Sequence, residues 1–520
     1  MKSYLKGSLL LSLMCLLALA FSGVLPFSAV HAAEAEGILV DSRFPDYKFR
    51  KALDDRYGDG NHNVSFFLED IDVSDSGIED LTGIELFTRL ETLDCSGNQL
   101  GILDCSRIKK VRILDCRNNP LTSLNTGMLD DLQSLYCSGD QLGTISLPTN
   151  KLALKYVDIS NSRIPVLDVQ GYVNLEGVNC ANGALIQLNA SGCTNLMSVN
   201  LNNCPLTTLS VAECDHLEYL YAENCSLPSL SISGLESLNT VRCINNPMTS
   251  LTISACPALE TVDCYDNSLS SLSINNCENL EDLNCQNNLL TALPVIPSLD
   301  ALDCSHNRIS SLGSYPELAW LNCADNQLRT LSVPEWVYSL DCSGNRLTSL
   351  DVSQCADMSS LDCSDNALTS LNVQGLSELH MLYAHSNSLL PSVDIGGTNL
   401  GSVDGVWLGE YHGAVAMKWG EILTIDPKTA LLRNGQVIYQ PEGSSTPLPT
   451  FFLPYGLTAI ESDAFRGIAA EAVLIPASVT SISGDPFAGS NVQYIYGYPG
   501  TAAEELAAGR YTFIPVGQGD

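Results

Sequence analysis

Positive charge is what this chain has least of. Lys and Arg number 25 in 520 residues, against 59 Asp and Glu, for a formal net charge of −34. Nucleic acid is gripped through Lys and Arg that neutralise phosphates, so this imbalance excludes it as a partner. The same field opposes docking on an anionic membrane surface and favours partners that are neutral, basic or bridged by cations. After residue 32 no run is long and apolar enough to span a bilayer. Catalytic signatures are missing: there is no G-x-S-x-G, no H-E-x-x-H and no P-loop. His380 and His385 flank Tyr383 without a matched nucleophile, so no enzymatic activity and no cofactor are expected. C-x-x-C is absent, which removes the commonest zinc spacing.

What is present begins with an export signature. Met1–Ala32 reads as a secretory signal peptide, with Lys2 and Lys6 at its positive end, an apolar stretch over Leu9–Phe21, and small residues at Val30-His-Ala32 for cleavage after Ala32. Met14 before Cys15 argues against a lipoprotein. No sorting motif of the LPxTG kind stands near the C-terminus, so covalent wall attachment is not expected. The protein is expected to be secreted or held at the cell surface.

One phrase then recurs sixteen times, L-x-x-L-x-C-x-x-N-x-L-x-x-L, clearest at Met358-Ser-Ser-Leu361-Asp-Cys363-Ser-Asp-Asn366-Ala-Leu368-Thr-Ser-Leu371. Copies start at Leu68, Leu90, Val111, Leu132, Leu154, Leu175, Leu196, Leu217, Leu238, Leu259, Leu280, Leu299, Leu318, Val337, Met358 and Leu379. Steps are 21 or 22 residues, except three successive steps of 19 after Leu280. Self-similarity at this period is the signature of a leucine-rich-repeat solenoid. The x-L-x-C-x segment is predicted as a strand, stacked in parallel on its neighbours. Positions 1, 4, 6, 11 and 14 point inward. Asn at position 9, as in Asn98, Asn288 and Asn387, can satisfy backbone groups in the bend. Cys204 and Cys225 replace it in two turns. So short a turn leaves room for extended segments but little helix on the convex side.

The flanks differ. Residues 33–66 form an N-terminal cap, with a helix that puts Phe49 and Leu53 on one side and starts at Asp46. Asp55, Asp59 and Asn61 echo the start of a calcium loop, but Tyr57 and Phe66 break its ligand pattern, and a Gly/Asp turn is the competing reading. The solenoid is taken as 67–393. Residues 394–446 concentrate Trp407, Tyr411, Trp419 and Tyr439 and form a C-terminal cap and connector, with short strands near Ile422–Ile425 and Val437–Tyr439. Residues 447–520 carry a second repeat: Leu457-Thr-Ala-Ile460 with Phe465-Arg-Gly467 recurs 22 residues later as Val479-Thr-Ser-Ile482 with Phe487-Ala-Gly489. A helix is predicted across Ala502–Ala508.

Two resemblances rest on these phrases. Residues 44–393 resemble the internalin-like leucine-rich repeats of secreted bacterial surface proteins, in their L-x-x-L-D-C-S-x-N-x-L-T-S-L-D-V-S form. Residues 451–515 resemble the BspA-type repeat, with its L-T-x-I, A-F-x-G and I-P-x-S-V-T-S-I phrases. The resemblance implies a small C-terminal repeat domain after the solenoid, and adhesion or binding to host or matrix proteins. It implies no catalytic residue.

Twenty cysteines are present, Cys15 in the leader and nineteen beyond it. Eleven sit at position 6 and five stand three residues before a repeat start, a periodicity that reads as a ladder of buried free thiols. A few disulfides and a metal role are the alternatives. The number is odd, and in-register neighbours point the same way where a disulfide needs them to face each other. Positions 3, 5 and 7 lie on the exposed sheet face because side chains alternate along a strand. That face carries many Asp and Asn, interrupted by candidate binding residues on the concave side: Tyr219, Tyr221, Arg242 and Tyr265 together, with Trp320 and Tyr383 further along. Exposed Tyr, Trp and Arg are the types enriched at binding hot spots. A solvated polar face is the plain alternative. A protein partner fits this surface best; a carbohydrate or cell-wall ligand stacked on the aromatics is the second reading.

Overall fold

A computed structural model describes residues 36–38, 42–139, 141–400, 414–417, 421–425, 430–433, 436–439, 450–453, 459–462, 464–466 and 472–515. Residues 1–35, with the expected signal peptide, and Trp407, Tyr411 and Trp419 lie outside the described residues.

Each of the sixteen repeats contributes one short strand, from Asp70–Asp72 to Met381–Ala384, and each begins at the third position of its repeat. Neighbours pair in parallel and in register, as in Tyr219↔Thr240↔Thr261. The position 4 and position 6 side chains of each strand drop into the core, for instance Leu93 with Cys95 and Leu302 with Cys304. The ladder is open. Among the described residues Asp70–Asp72 pairs only with Thr92–Asp94, and Met381–Ala384 pairs onward with a seventeenth parallel strand, Glu421–Ile425. Ala414–Met417 then runs antiparallel to that strand. The chain between 394 and 446 thus supplies strands where the sequence predicts them.

The bend after each strand explains two columns. At position 8 the backbone turns left-handed, with φ between about 50° and 74° from Asn118 and Gly139 to Asp325 and Asp365. Gly adopts this conformation freely, and Asn and Asp tolerate it better than other residues. At position 9 the buried amide staples successive turns. Asn288 Nδ2 donates to the carbonyls of Cys264 (3.0 Å) in the turn before and Cys285 (3.1 Å) in its own, while Oδ1 accepts from Leu269 N at 2.8 Å. Where cysteine replaces Asn, one such bond survives: Cys204 Sγ donates to Cys180 O at 3.0 Å.

The other side of the solenoid carries a second, interrupted ladder. Its longest strands, Ser229–Ser233, Ser250–Ser254 and Ser271–Asn275, pair in register, and their Leu and Ile point inward between more exposed serines. It resumes at Leu350–Asp351, Leu371–Asn372 and Ser392–Asp394. The 19-residue turns between them have no second strand. Pro294, Pro297, Pro316 and Pro334 fall there, and proline has no N–H to give a ladder.

At the N-terminus, helix Tyr47–Tyr57 covers the first turn with Phe49, Ala52 and Leu53 buried. Asp46 caps it, accepting from Lys48 N and Phe49 N, and also takes Glu79 N and Asp80 N, which ties the helix to the solenoid. Residues 450–515 form a separate small stack. Thr450–Phe452, Ala472–Leu474, Tyr494–Gly497 and Thr512–Pro515 pair in parallel, with 22 residues between each of the first three. Its own core holds Leu453, Ile460, Val473, Phe487 and Ile495, and helix Ala502–Ala507 packs on it through Ala503 and Ala507. Among the described residues, helix is otherwise limited to two single 3₁₀ turns, and none is long and apolar enough to cross a membrane.

Candidate functional site

The sheet face is built by one residue column. Register sets the position 5 side chains beside one another, about 4.8 Å apart. Half of the sixteen are Asp, and the D-C-S phrase explains how they sit. Asp303 accepts from Ser305 N (3.0 Å) and Ser305 Oγ (2.7 Å), and Asp94, Asp341 and Asp362 repeat the arrangement. The face is therefore less open than strand alternation predicts. Asp115, Asp158 and Asp303 are 8%, 9% and 9% exposed. Burial, reinforced by neighbouring carboxylates, pushes the pKa of Asp94, Asp303 and Asp362 above the usual carboxylate value, against the pull of their serine donors.

The central aromatic group is brought together as the spacing implies, with one correction. Tyr219 and Tyr221 stack with ring centroids 6.3 Å apart and planes 4° from parallel. Tyr221 is not exposed: 6% of its surface remains accessible. Position 5 is flanked by strands on both sides, and the Tyr219 ring covers what they leave. Burial first, then Tyr219, lifts its hydroxyl to about 12. Arg242 lies in register beside it, between Tyr221 and Asp263. Its Nε stands 3.1 Å from Glu223 and 3.2 Å from Asp263. That buried nitrogen has charge partners but no aligned hydrogen bond. Burial raises the pKa of Asp263, and Arg242 counters it. Arg242 is thus the internal counter-ion of this patch, and the half-buried Tyr219 and Tyr265 are the surfaces left to a ligand.

A second group of the same make-up escaped the sequence reading. Arg117 donates to Asp115 through Nε and Nη2, and lies 5.4 Å from the Tyr136 ring centre. Tyr136 packs against Tyr156 at 5.3 Å. Gly177 makes room, since a Cβ there would come within 2.8 Å of the Tyr156 ring. The available signal was column arithmetic: Asp115, Tyr136 and Asp158 share position 5, Arg117 holds position 7 and Tyr156 position 3. Trp320 and Tyr383 are half-buried on the same face but stand three and six turns beyond Tyr265, about 14 and 29 Å away at strand spacing. They do not join the central group. His380 and His385 rings meet Glu378 O and Ser386 Oγ.

The weak calcium candidate is occupied by its own chain. Asp59 accepts from Asn61 N, Asn63 N and Asn63 Nδ2, and Asp55 pairs with Lys51 one helical turn back. These bonds hold Asp59 near 2, with the Asn63 side chain as the largest cause. Asp59 thus belongs to the Gly/Asp turn, and Asp55 to the helix before it. The nineteen cysteines beyond the leader are all buried and free.

No family model and no curated protein matches the chain. Solved structures do. The functional domain of InlJ from Listeria monocytogenes, which includes a cysteine ladder, is 22% identical over 69% of this chain and 76% of that one, with a TM-score of 0.41. YopM from Yersinia enterocolitica is 23% identical over 58% and 66%, with a TM-score of 0.47. YopM from Yersinia pestis, a leucine-rich effector protein, is 25% identical over 57% and 80%, with a TM-score of 0.43. These superpositions are loose and carry no residue role over to this chain.

Proposed function

We propose that this chain is an exported bacterial leucine-rich-repeat binding protein that contacts a protein partner at the cell surface through its sheet face, in adhesion or a related interaction. The observation behind this reading is the pair of tyrosine–arginine–aspartate groups on one in-register face, centred on Tyr136–Tyr156 and on Tyr219–Tyr265. Aromatic and arginine anchors set in a polar surround are the make-up of protein-binding hot spots. The parallel ladder holds them rigid, so little ordering entropy is lost on binding. A carbohydrate ligand is the second reading; it would stack on single ring faces, for which Trp320 and Tyr383, half-buried on the same face, are the candidates. In this proposal residues 33–66 and 394–446 cap the solenoid 67–393. The 22-residue stack of 447–520 is of BspA type and extends or presents it.

The test is a binding assay of chain 33–520 against host and bacterial surface-protein fractions and a glycan array. Replacing Tyr219 and Tyr265 together by Ala should weaken protein binding at least tenfold. Normal binding by that variant, with loss on deleting 447–520, would move recognition to the C-terminal stack. Binding confined to glycans would favour the second reading.

A further inference from the structure

The three 19-residue turns break the second ladder, and the break has the make-up of a peptide site. On one side of it, Ser271–Asn275 pairs with Ser250–Ser254 and with nothing beyond. Among the described residues no backbone hydrogen bond joins 291–297 to 271–277. On the other side, Leu350–Asp351 pairs only onward, with Leu371–Asn372. The two free edges lie four turns apart, about 19 Å at strand spacing.

The floor between them is apolar. Position 14 leucines are buried in the ladder strands that flank the break, as Leu272, Leu350 and Leu371 are, although Leu209 further back is half-buried. In the short turns the same column, Leu293, Leu312 and Leu331, is half-buried throughout. Val295 and Trp336 stand out at 66% and 56% exposure. A cavity of about 470 Å³ opens against the Ser271–Asn275 edge, lined by Ile274, Cys277, Val295, Ile296, Pro297 and Pro316, with Glu278 and Glu317 at its rim. Neither glutamate has an ion-pair partner among the described residues, and the three short turns also carry Glu335, with Arg308 and Arg329 as their arginines.

We propose that this break docks an extended polypeptide segment of a partner protein, one that alternates basic and aliphatic residues. Its backbone adds to the free edge of Ser271–Asn275 as the strand that the short turns omit. Strand addition supplies main-chain hydrogen bonds, while alternate side chains supply specificity. The aliphatic ones enter the cavity between Ile274 and Val295, and the basic ones meet Glu278 and Glu317. Charge decides the occupant: a second copy of this chain, at −34, brings the wrong sign. This site lies on the side opposite the sheet face and is independent of the function proposed above.

The probes are fluorescent peptides of alternating Lys and Val, the matching Glu–Val peptide, and a Lys–Val peptide N-methylated on alternate residues, which keeps its charge but cannot pair as a strand. The full chain should bind the first at least tenfold more tightly than either control. Glu278→Lys with Glu317→Lys, both exposed, should weaken it at least tenfold, as should Val295→Asp. Tyr219→Ala with Tyr265→Ala should leave it unchanged. Equal binding of the methylated peptide would reduce the effect to the general acidic field and overturn the proposal. Indifference to the Glu278 and Val295 variants, or loss in the tyrosine variant, would overturn it equally. So would self-association of the chain that the Glu278 and Glu317 changes abolish.

Discussion

At the scale of the residue, the solenoid is held by polar atoms as much as by leucine. Asn326 is buried and donates to Cys304 O, Cys323 O and Ala324 O, and its Oδ1 accepts from Ile309 N at 2.9 Å. Ala at this place leaves those buried groups without partners, so Asn326→Ala should cost about 3 kcal/mol, since unpaired buried groups cost roughly 1–3 kcal/mol each and partly relax. Asn326→Cys should cost less, because a thiol at this position keeps the bond to the preceding turn, as Cys204 and Cys225 do. Chemical denaturation of both variants checks the order; equal losses would mean the amide acts by packing alone. The role of position 9 was legible from the recurrence of Asn. That of position 8 was not, because Gly, Asn, Asp, His and Ser alternate there and only the positive φ unites them.

At the scale of the element, a strand of this ladder has one buried column and two half-buried ones, and period-2 alternation alone overstates the outer pair. The Tyr221 side chain shows the difference, since its ring is enclosed by a neighbour on its own strand. Arg242→Ala should therefore lower the melting temperature by several degrees, as it leaves the half-buried Glu223 and Asp263 facing each other uncompensated. Tyr265→Ala, on a half-buried side chain, should change it by a degree or two at most. A thermal melt that reversed this order would refute the counter-ion role. The cysteine column gives a second element-scale expectation. Burial drives its thiols upward, Cys105 and Cys214 to about 12 and Cys193 to about 11. Native protein should thus react slowly with a thiol reagent at pH 8, and unfolded, unreduced protein should show nineteen free thiols. Cys277 should react first, since the neighbouring Cys256 thiol favours its thiolate and it borders the open cavity. A count near one in the unfolded, unreduced chain would mean paired cysteines.

At the scale of the whole molecule, architecture was legible because one period repeated sixteen times, and every strand start falls where the phrase places it. The break in the second ladder was visible only as a shorter step, since pairing of a strand depends on its neighbours. The same stacking that repeats leucine also repeats carboxylates, and this sets the response to pH. Asp94, Asp263, Asp303 and Asp362 have folded pKa values above the ordinary aspartate value of 3.8, with burial the leading cause. A raised carboxylate favours the folded chain fully below its unfolded pKa, and this advantage is lost as pH rises through the folded value. Asp46 and Asp72 act in the opposite sense: burial tends to raise them, but backbone N–H donors outweigh it and hold them low, so their contribution disappears only below 3.8. The contribution of the first group is lost as pH rises from 3.8 through its folded values, and the self-repulsion of a chain at −34 eases as pH falls from 7.5 to 5. The melting temperature should therefore be higher at pH 5 than at pH 7.5. Asp303→Asn keeps an acceptor for Ser305 but carries no charge, so it should raise the melting temperature at pH 7.5 and narrow the difference between the two. A melting temperature that falls steadily from pH 7.5 to 5, or an Asp303→Asn variant with an unchanged pH response, would show that this column does not control the stability of the stack.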